Sequence, residues 1–178
     1  LIGGQSFFDR REIRDFLAYL KTFINPHDDA SLLRIANVPA RGLSDVTMER
    51  LLAASQEHRC SVWSAMKNEA VRGDFSPRPR KAIEAFMVFV NTTRAPLRED
   101  TLVLRQWAAD FVDAIDYAAE LRKGEKDPEA AANRLRNLKD LIHTMDDLGD
   151  LPPAERLDRF LEDLTLDAER ENEKEEAG

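Results

Sequence analysis

The strongest chemical signal in the sequence lies in the segment PARGLSDVT, residues 39–47. Gly42 has no Cβ, so the backbone at this position can approach a phosphodiester closely. Arg41 brings a full positive charge, and its planar fork can hold two phosphate oxygens. Ser44 or Asp45 begins a predicted helix, whose first N–H groups favour an anion. The segment therefore predicts an anion-binding turn, although an ordinary turn before a capped helix has the same residues.

No recognisable catalytic motif accompanies this turn. The patterns GxxxxGK[ST], GxGxxG, CxxC and HExxH are all absent from the sequence. His58 and Cys60 are two residues apart, a spacing that points them to different faces of a helix. The acidic pairs at 28–29 and 146–147 are explained more simply as helix-start and exposed-turn residues. We therefore expect this polypeptide alone not to be an enzyme and to hold no metal or cofactor of its own.

The composition indicates a helical protein of one domain. Of the 178 residues, 43% are hydrophobic and 34% are charged, and only seven are glycine. Runs of alternating β-branched residues are short, which argues against a large sheet. The single cysteine, Cys60, excludes an intramolecular disulfide and favours the reducing cytoplasm. No apolar run approaches the roughly 20 residues that a membrane helix needs.

The charge is distributed unevenly along the chain. Residues 1–94 contain 14 Lys or Arg against 11 Asp or Glu, a balance of +3. Residues 95–178 contain 12 against 23, a balance of −11. A polyanion is therefore expected to meet the first half and avoid the second. Solvated helix faces are sufficient to explain the acidic half.

Apolar residues at helical spacing follow one another along the whole chain, so the sequence predicts an all-α fold of about eight helices with no substantial sheet. Pro77 and Pro79 pre-set the first turn of one helix after Ser76. Another helix is expected from about Asp100 to Tyr117. The helices that begin at a capping residue are expected to start at Asp9, Asp28 or Asp29, Ser44 or Asp45, Ser61 and Asp127.

The last two helices and the tail complete the prediction. The helix that follows Asp127 is expected to end at Gly149. A final helix covers PPAERLDRFLEDLTL, residues 152–166. The segment DAERENEKEEAG, residues 167–178, is too polar to pack, so we expect a disordered acidic tail. The folded domain is therefore expected to span residues 1–166.

Two long motifs resemble a known family. GGQSFFDRREIRDFLAYL, residues 3–20, is followed by NPHDDASLLRIANVPARGLSDVT, residues 25–47. The UvrD/Rep/PcrA group of superfamily 1 DNA helicases has a similar order: a GG turn, FF-x-R-x-E-I-x-D-x-x-A-Y-L, N-P-x-D-D and N-x-P-x-R-G-I-G-x-x-T. The resemblance is specific from Gly3 to Thr47 and looser afterwards. It points to the large helical insertion of the second motor domain, called the 2B subdomain.

The resemblance implies an accessory domain cut from a longer chain, so residue 1 is not expected to be a natural beginning. Residues 1–24 would include the junction to the motor domain. The parent would be an ATP-dependent 3′→5′ DNA helicase that uses ATP and magnesium, and its partners would be its own motor domains and sequence-independent DNA. A domain inserted in this way should have its first and last ordered residues close in space. We expect a monomer.

The resemblance also implies the DNA-binding residues. In the family the R-G-I-G-x-x-T loop grips the duplex ahead of the fork, which transfers that role to Arg41, Gly42, Leu43, Ser44 and Thr47. Ser44 departs from the family pattern, where a second glycine stands, so the grip can differ in strength or geometry. Arg10 matches the F-F-x-R arginine and would face the DNA track or the domain junction. Pairing with Asp9 or Glu12 is an equally good interpretation of Arg10.

Further aromatic and basic residues leave alternatives open. Phe7 and Phe8 can stack on bases, although packing of the insertion on the motor fits them better. Scattered surface charge is the simplest interpretation of four basic residues that can also line a DNA-tracking face: Arg34, Arg78, Arg80 and Lys81. A rival function is a protein-interaction or autoinhibitory helical module that makes no direct contact with DNA.

Overall fold

The computed structural model describes residues 6–178 of the chain. This part of the chain consists of ten α-helices, two short 3₁₀ helices and connecting loops, with no strand. The all-α prediction is confirmed, and the number of helices is ten where about eight were expected. The described chain forms two compact units. The central unit contains residues 18–96, and the terminal unit contains residues up to Leu17 together with residues 97–178. The GG turn of the sequence motif, Gly3 and Gly4, lies outside the described residues.

Helix α1, Arg11–Ile24, follows a 3₁₀ helix at Phe7–Asp9. Its apolar positions recur at helical spacing, Ile13, Phe16 and Leu20 are buried, and Leu17 and Ile24 are half-buried. The helix ends before Pro26 as predicted. The predicted cap differs, because Asp9 falls within the 3₁₀ helix and α1 begins at Arg11. Glu12 and Asp15 are also buried on this helix, which the apolar pattern alone did not indicate.

The central unit contains the second part of α1 and the next five helices, α2 Asp29–Ile35, α3 Asp45–Glu57, α4 Val62–Lys67, α5 Glu69–Gly73 and α6 Pro77–Arg94. The predicted caps Asp28, Ser44 and Ser61 are confirmed, because each side chain accepts the amide of the residue three positions later. The start of α6 at Pro77 is confirmed as well. The large side chains that are fully buried in it are Tyr19, Leu20, Phe23, Leu32, Ile35, Leu43, Leu51, Met66, Ile83 and Phe86.

The terminal unit contains the last four helices, α7 Leu104–Ala114, α8 Tyr117–Gly124, α9 Pro128–His143 and α10 Pro153–Ala177. The single helix expected from about Asp100 to Tyr117 is wrong, because Asp116 adopts a left-handed conformation with φ of 53° that separates α7 from α8. The cap at Asp127 is confirmed. Helix α9 ends at His143, several residues before the expected end at Gly149.

The tail at 167–178 differs from the prediction of disorder. Helix α10 continues through these residues to Ala177. The last buried residue of this helix is Phe160, so packing does not hold the distal part in place. Local effects account for the helix, because Glu, Lys, Arg and Ala are strong helix formers and Arg170 lies 3.8 Å from Asp167, one turn earlier. Low apolar content alone therefore does not indicate disorder here, because the helix propensity of these residues is high.

Candidate nucleic-acid interface

The loop before α3 is held in shape by Asn37. Its Oδ1 accepts the amide of Arg41 at 2.8 Å and the amide of Leu43 at 3.2 Å. Between them, Gly42 has a φ of +81°, a conformation that side chains with a Cβ rarely adopt. A Cβ at Gly42 would also lie 3.2 Å from the Cβ of Ala82 on α6. The loop is therefore shaped for glycine and packs closely against α6.

The far end of the loop opens α3. The hydroxyl of Ser44 accepts the amide of Thr47, as a capping residue does. The amides of Asp45 and Val46, the first two residues of α3, have no acceptor within the helix. Gly42, Ser44, Asp45 and Val46 are exposed, whereas Leu43 is fully buried. The exposed part of the loop thus offers backbone, a hydroxyl and two helix-start amides, and Leu43 can take part only through its backbone.

Arg41 is engaged inside the central unit. Its Nη1 donates to the carbonyl oxygens of Ile35 at 2.6 Å and Ala36 at 3.0 Å, at the C-terminal end of α2. Its Nη2 donates to the hydroxyl of Tyr19, which donates in turn to the carbonyl of Val38. These bonds cap α2 and tie the loop to α1. The direct phosphate contact expected for Arg41 stays a prediction, and the structure assigns its side chain to the support of the loop.

Aromatic rings surround the same guanidinium. It lies 5.7 Å from the ring centre of Tyr19 and 5.5 Å from those of Phe86 and Phe89. A cation within about 6 Å of a ring centre is attracted by the negative ring face. This arrangement was not predictable from the sequence, because Tyr19 and the two phenylalanines are far from Arg41 along the chain. The contacts restrict the Arg41 side chain further.

The other basic residues of the central unit differ in the contacts that their side chains make. Arg50 lies 4.1 Å from the ring centre of Phe75 and donates to the carbonyl of Asp74. Arg80 donates to the carbonyl of Phe75 at 2.8 Å. Arg34, a predicted member of a tracking face, is half-buried and makes contacts within the structure. Arg78 and Lys81 are exposed on α6, and neither has a hydrogen bond or an ion pair within residues 6–178.

Arg10 belongs to the terminal unit and not to the unit that contains the loop. Its guanidinium lies 5.8 Å from the ring centre of Phe7, whose ring meets that of Phe8 edge to face. The alternative pairing with Glu12 is wrong, because Glu12 is buried and pairs with Arg134. In the part of the chain that the structure describes, Arg10 pairs with no carboxylate. Its contact with DNA or a domain junction stays a prediction.

A buried polar network on α1 was not predicted from the sequence. Arg134 donates from Nη1 to Glu12 at 2.9 Å and from Nε to Glu125 at 2.5 Å. Burial lowers the pKa of Arg134, but the hydrogen bonds and charges of the two carboxylates outweigh burial and raise it. The Arg134 guanidinium therefore compensates the charge of the Glu12 carboxylate, which is fully buried in the terminal unit.

A second pair on α1 joins Asp15 to Tyr117. The Tyr117 hydroxyl donates to the Asp15 carboxylate at 2.7 Å, and the Nε of Arg11 lies 3.5 Å from the same carboxylate. Burial raises the pKa of Tyr117, and the charge and hydrogen bond of Asp15 raise it further. The residues lie 102 positions apart, so no sequence spacing predicts them.

Asp146 holds the start of α7 from a distance along the chain. Its two carboxylate oxygens accept the amides of Leu104 at 3.1 Å and Arg105 at 2.9 Å. Arg156, only 7% exposed, donates to the same carboxylate at 2.6 Å. Asp146, Arg105 and Arg156 are among the residues that line a cleft of about 430 Å³. The expectation that Asp146 lies in a simple exposed turn is therefore wrong, because its carboxylate caps a helix and neutralises a buried arginine.

A further polar contact joins His27 to Ser61. His27 Nδ1 lies 2.6 Å from the hydroxyl of Ser61, a pair that can suggest a nucleophile and its base. The same hydroxyl accepts the amide of Ser64 as the cap of α4, and no carboxylate within residues 6–178 orients the imidazole. The described chain has no group of three His, Cys, Asp or Glu arranged to hold a metal.

In residues 6–178 no helix is long and apolar enough to cross a membrane.

Comparison with known proteins defines the class to which this helical domain belongs. Residues 1–177 match the family model described as the UvrD-like helicase C-terminal domain. The chain therefore belongs to the family of UvrD-like helicase C-terminal domains, and the resemblance to the UvrD group is confirmed. The more specific assignment to the 2B subdomain stays a prediction.

Several curated proteins are similar to the chain. It is 31% identical to the ATP-dependent DNA helicase PcrA of Bacillus subtilis strain 168, over 99% of this chain and 23% of that protein. It is 31% identical to the ATP-dependent DNA helicase Rep of Escherichia coli K12, over 82% of this chain and 21% of that protein. A third relative, PcrA of Staphylococcus aureus Mu50, is 30% identical over 95% of this chain. The chain spans less than a quarter of the length of these relatives.

Proposed function

We propose that this chain is the 2B-like accessory domain of an ATP-dependent 3′→5′ DNA helicase and that it contacts duplex DNA near the fork. The parent protein uses ATP and magnesium in its motor domains, and the accessory domain modulates unwinding. Family membership supports the parent activity, since the similar proteins of Bacillus subtilis and Escherichia coli are named ATP-dependent DNA helicases. The loop from Arg41 to Ser44 is the proposed contact.

The single observation that carries the DNA contact is the exposed backbone of the loop at Gly42. It leads directly into the unpaired amides that begin α3, in a unit with 11 Lys or Arg against 8 Asp or Glu. Phosphate oxygens accept such amides, and the positive end of the helix dipole favours the same charge. Asn37 holds the loop in one conformation before DNA arrives, which lowers the entropy lost on binding.

The proposed contact uses backbone and charge, so it does not distinguish one base sequence from another. Affinity should fall with salt, by about 0.9 in log affinity per log unit of salt for each phosphate that the protein neutralises. Binding by the loop alone is expected to be weak because few phosphates can be reached. Arg41 contributes by keeping the loop in shape, and Arg10 is a secondary candidate at the junction with the motor domains.

The Ser44→Asp substitution tests the loop contact. Aspartate is as good a helix cap as serine, so α3 should keep its start. The added negative charge at an exposed position should repel phosphate and weaken duplex binding by about fivefold, the effect of about 1 kcal/mol. The measurement is fluorescence anisotropy of a labelled forked duplex titrated with the 178-residue chain at several salt concentrations.

Gln56→Glu is the matched control. It changes the net charge by the same amount at an exposed position near the other end of α3. Twelve residues of helix separate the two positions by about 18 Å, which exceeds the Debye length of about 8 Å at physiological salt. Binding by this variant should stay within twofold of the wild type. Equal weakening by both variants, or no weakening by Ser44→Asp, would remove the loop from the interface.

A second candidate function is a protein-interaction or autoinhibitory module. The terminal unit favours it, with 15 Lys or Arg against 26 Asp or Glu. The distal part of α10 is exposed and presents Leu166, which is 50% exposed, among these acids. A basic surface of a partner or of the parent motor would match this charge. Binding of the isolated motor domains to the chain in the presence of nuclease, together with no mobility shift on forked DNA, would favour this function.

A further inference from the structure

We infer that Arg78 and Lys81 of α6, and not Arg41, supply the positive charge that meets DNA phosphates beside the Gly42 loop. The inference rests on the proposed function, because it extends the same interface from the loop onto α6. It begins from the state of Arg41, whose guanidinium donates to Ile35, Ala36 and Tyr19. Three of its five N–H groups are therefore engaged, and the side chain is half-buried, so Arg41 has at most two N–H groups left for a phosphate.

The loop and the first turns of α6 form one continuous surface. Gly42 approaches Ala82 so closely that a Cβ on the glycine would lie 3.2 Å from the alanine Cβ. Arg78 precedes Ala82 by four residues, so it lies one turn earlier on the helix and about 40° around its axis. Lys81 lies on the adjacent strip of the helix, about 60° from Arg78. Both cations therefore lie to the same side of Ala82 around the helix axis, at about 40° and 100°, beside the strip that meets Gly42.

The two cations are available to a ligand. Arg78 and Lys81 are exposed and have no hydrogen bond or ion pair in the part of the chain that the structure describes. Arg80, between them in sequence, is half-buried and donates to the carbonyl of Phe75, so it is excluded from this pair. Arg78 and Lys81 thus differ from Arg80 because they have no partner in the described chain, and not because of their residue type.

Three exposed acids lie near this surface, Asp45, Asp74 and Glu84, and none forms an ion pair with Arg78 or Lys81 within residues 6–178. Glu84 is exposed on the same helix, but it lies about 200° around the axis from Ala82 and faces away from the loop. Asp45 is exposed in the first turn of α3 and opposes an anion there. A phosphate beside Asp45 would be favoured by positive charge from a neighbouring element. Arg78 and Lys81 supply it from the neighbouring helix.

The matching partner is a sugar-phosphate backbone that runs from the loop onto α6. Side chains three residues apart on a helix have Cβ atoms about 5–6 Å apart, and both side chains are long and flexible. Such a pair can follow successive phosphates without fixing the base sequence. Arg41 is then a positioning residue, which shapes the loop so that its backbone and the α6 cations meet one strand.

Glutamine substitutions test the pair. Arg78→Gln and Lys81→Gln remove one charge each and keep most of the side-chain length. Each should weaken binding of a labelled forked duplex by about two- to fivefold, the effect of a surface charge pair. The double variant should lower the slope of log affinity against log salt by about 1.8, since each lost phosphate contact removes about 0.9.

Arg59→Gln is the matched control. Arg59 is exposed beyond the C-terminal end of α3, about 20 Å along this helix from Ser44. It should change neither the affinity nor the salt slope. Thermal unfolding followed by circular dichroism checks that all variants remain folded.

The outcomes separate the inference from the proposed function. If Ser44→Asp weakens duplex binding and the Arg78→Gln/Lys81→Gln double variant keeps the wild-type affinity and salt slope, the inference is overturned and the loop contact is still supported. If the double variant weakens duplex binding and Ser44→Asp does not, DNA contacts α6 alone. That result would overturn the inference that the loop and α6 bind DNA together. Equal effects of Arg59→Gln and Arg78→Gln would reduce both to general charge attraction and overturn the inference.

Discussion

The Nη1 of Arg41 lies 2.6 Å from the carbonyl oxygen of Ile35, at the C-terminal end of α2. The arginine of the RG motif is therefore a helix cap held among aromatic rings. Its contribution to stability can be measured separately from any contribution to DNA binding. The same holds for Gly42, because its conformation and its packing on Ala82 are properties of the folded chain alone.

Arg41→Ala should lower the free energy of unfolding by about 2–3 kcal/mol, because hydrogen bonds from a charged group to the α2 carbonyls are lost. Arg41→Lys should recover less than half of the loss, since an ammonium cannot reproduce the planar fork. Urea unfolding followed by circular dichroism measures both. Arg59→Ala, at an exposed position, should change stability by less than about 0.5 kcal/mol. Wild-type stability of Arg41→Ala would show that the cap is not formed in solution.

Gly42→Ala should destabilise the protein by about 1–2 kcal/mol, since a φ of +81° is strained for residues with a Cβ and the new atom would press on Ala82. Gly73→Ala is the natural comparison. Gly73 is the last residue of α5, and a Cβ there would meet no atom within 4 Å. Its replacement should be neutral or stabilise by about 0.5–1 kcal/mol. Equal unfolding midpoints of the two variants would contradict the loop conformation.

Asp146→Ala should cost about 3 kcal/mol or more, because it leaves the buried charge of Arg156 without its carboxylate and removes the cap of α7. Asp147→Ala changes the adjacent acid, which is exposed and has no side-chain partner within residues 6–178. It should leave the unfolding midpoint within experimental error. Thermal denaturation of the two variants side by side tests this prediction, and a similar loss in both would argue against a specific role for Asp146.

The raised pKa of Tyr117 predicts how the stability of the protein changes at alkaline pH. Its pKa is raised in the folded state by burial first and by Asp15 second. The protonated phenol therefore contributes stability that is fully present below the unfolded pKa of about 10 and decreases as the pH rises beyond it, by up to about 1.4 kcal/mol per pH unit. Urea midpoints between pH 9 and 11 should fall more steeply for the wild type than for Tyr117→Phe. Parallel slopes would mean that Tyr117 ionises freely.

Removal of residues 167–178 tests the helical tail. This segment forms the end of α10, beyond its last buried residue, Phe160. The shortened chain should melt within about 2 °C of the full chain, because no packing is lost. Its far-ultraviolet circular dichroism should show fewer helical residues per molecule. An unchanged helical signal per molecule would restore the original prediction of a disordered tail.

The fold class and most helix starts were predictable because their causes are local. A capping residue and the amide that it accepts are three positions apart, as in the bonds from Thr47 to Ser44 and from Ser64 to Ser61. Proline at the first turn of α6 acts over a similarly short range. The predicted helix ends were less accurate than the predicted helix starts. The break at Asp116 depends on a left-handed residue that is not glycine, so the sequence offered no clear sign of it.

The amino-acid sequence by itself determined the helical class, the family, and the glycine turn that opens α3. Only the tertiary structure decided which charges of the candidate interface are available, because this depends on partners far along the chain. Arg41 meets Tyr19 across 22 positions, Asp146 meets Leu104 across 42, and Glu12 meets Arg134 across 122. Arg78 and Arg80 are the same residue type, yet only one is bound to a carbonyl. Chemically identical side chains therefore differ in availability, because the fold brings a hydrogen-bond acceptor close to one of them and not to the other.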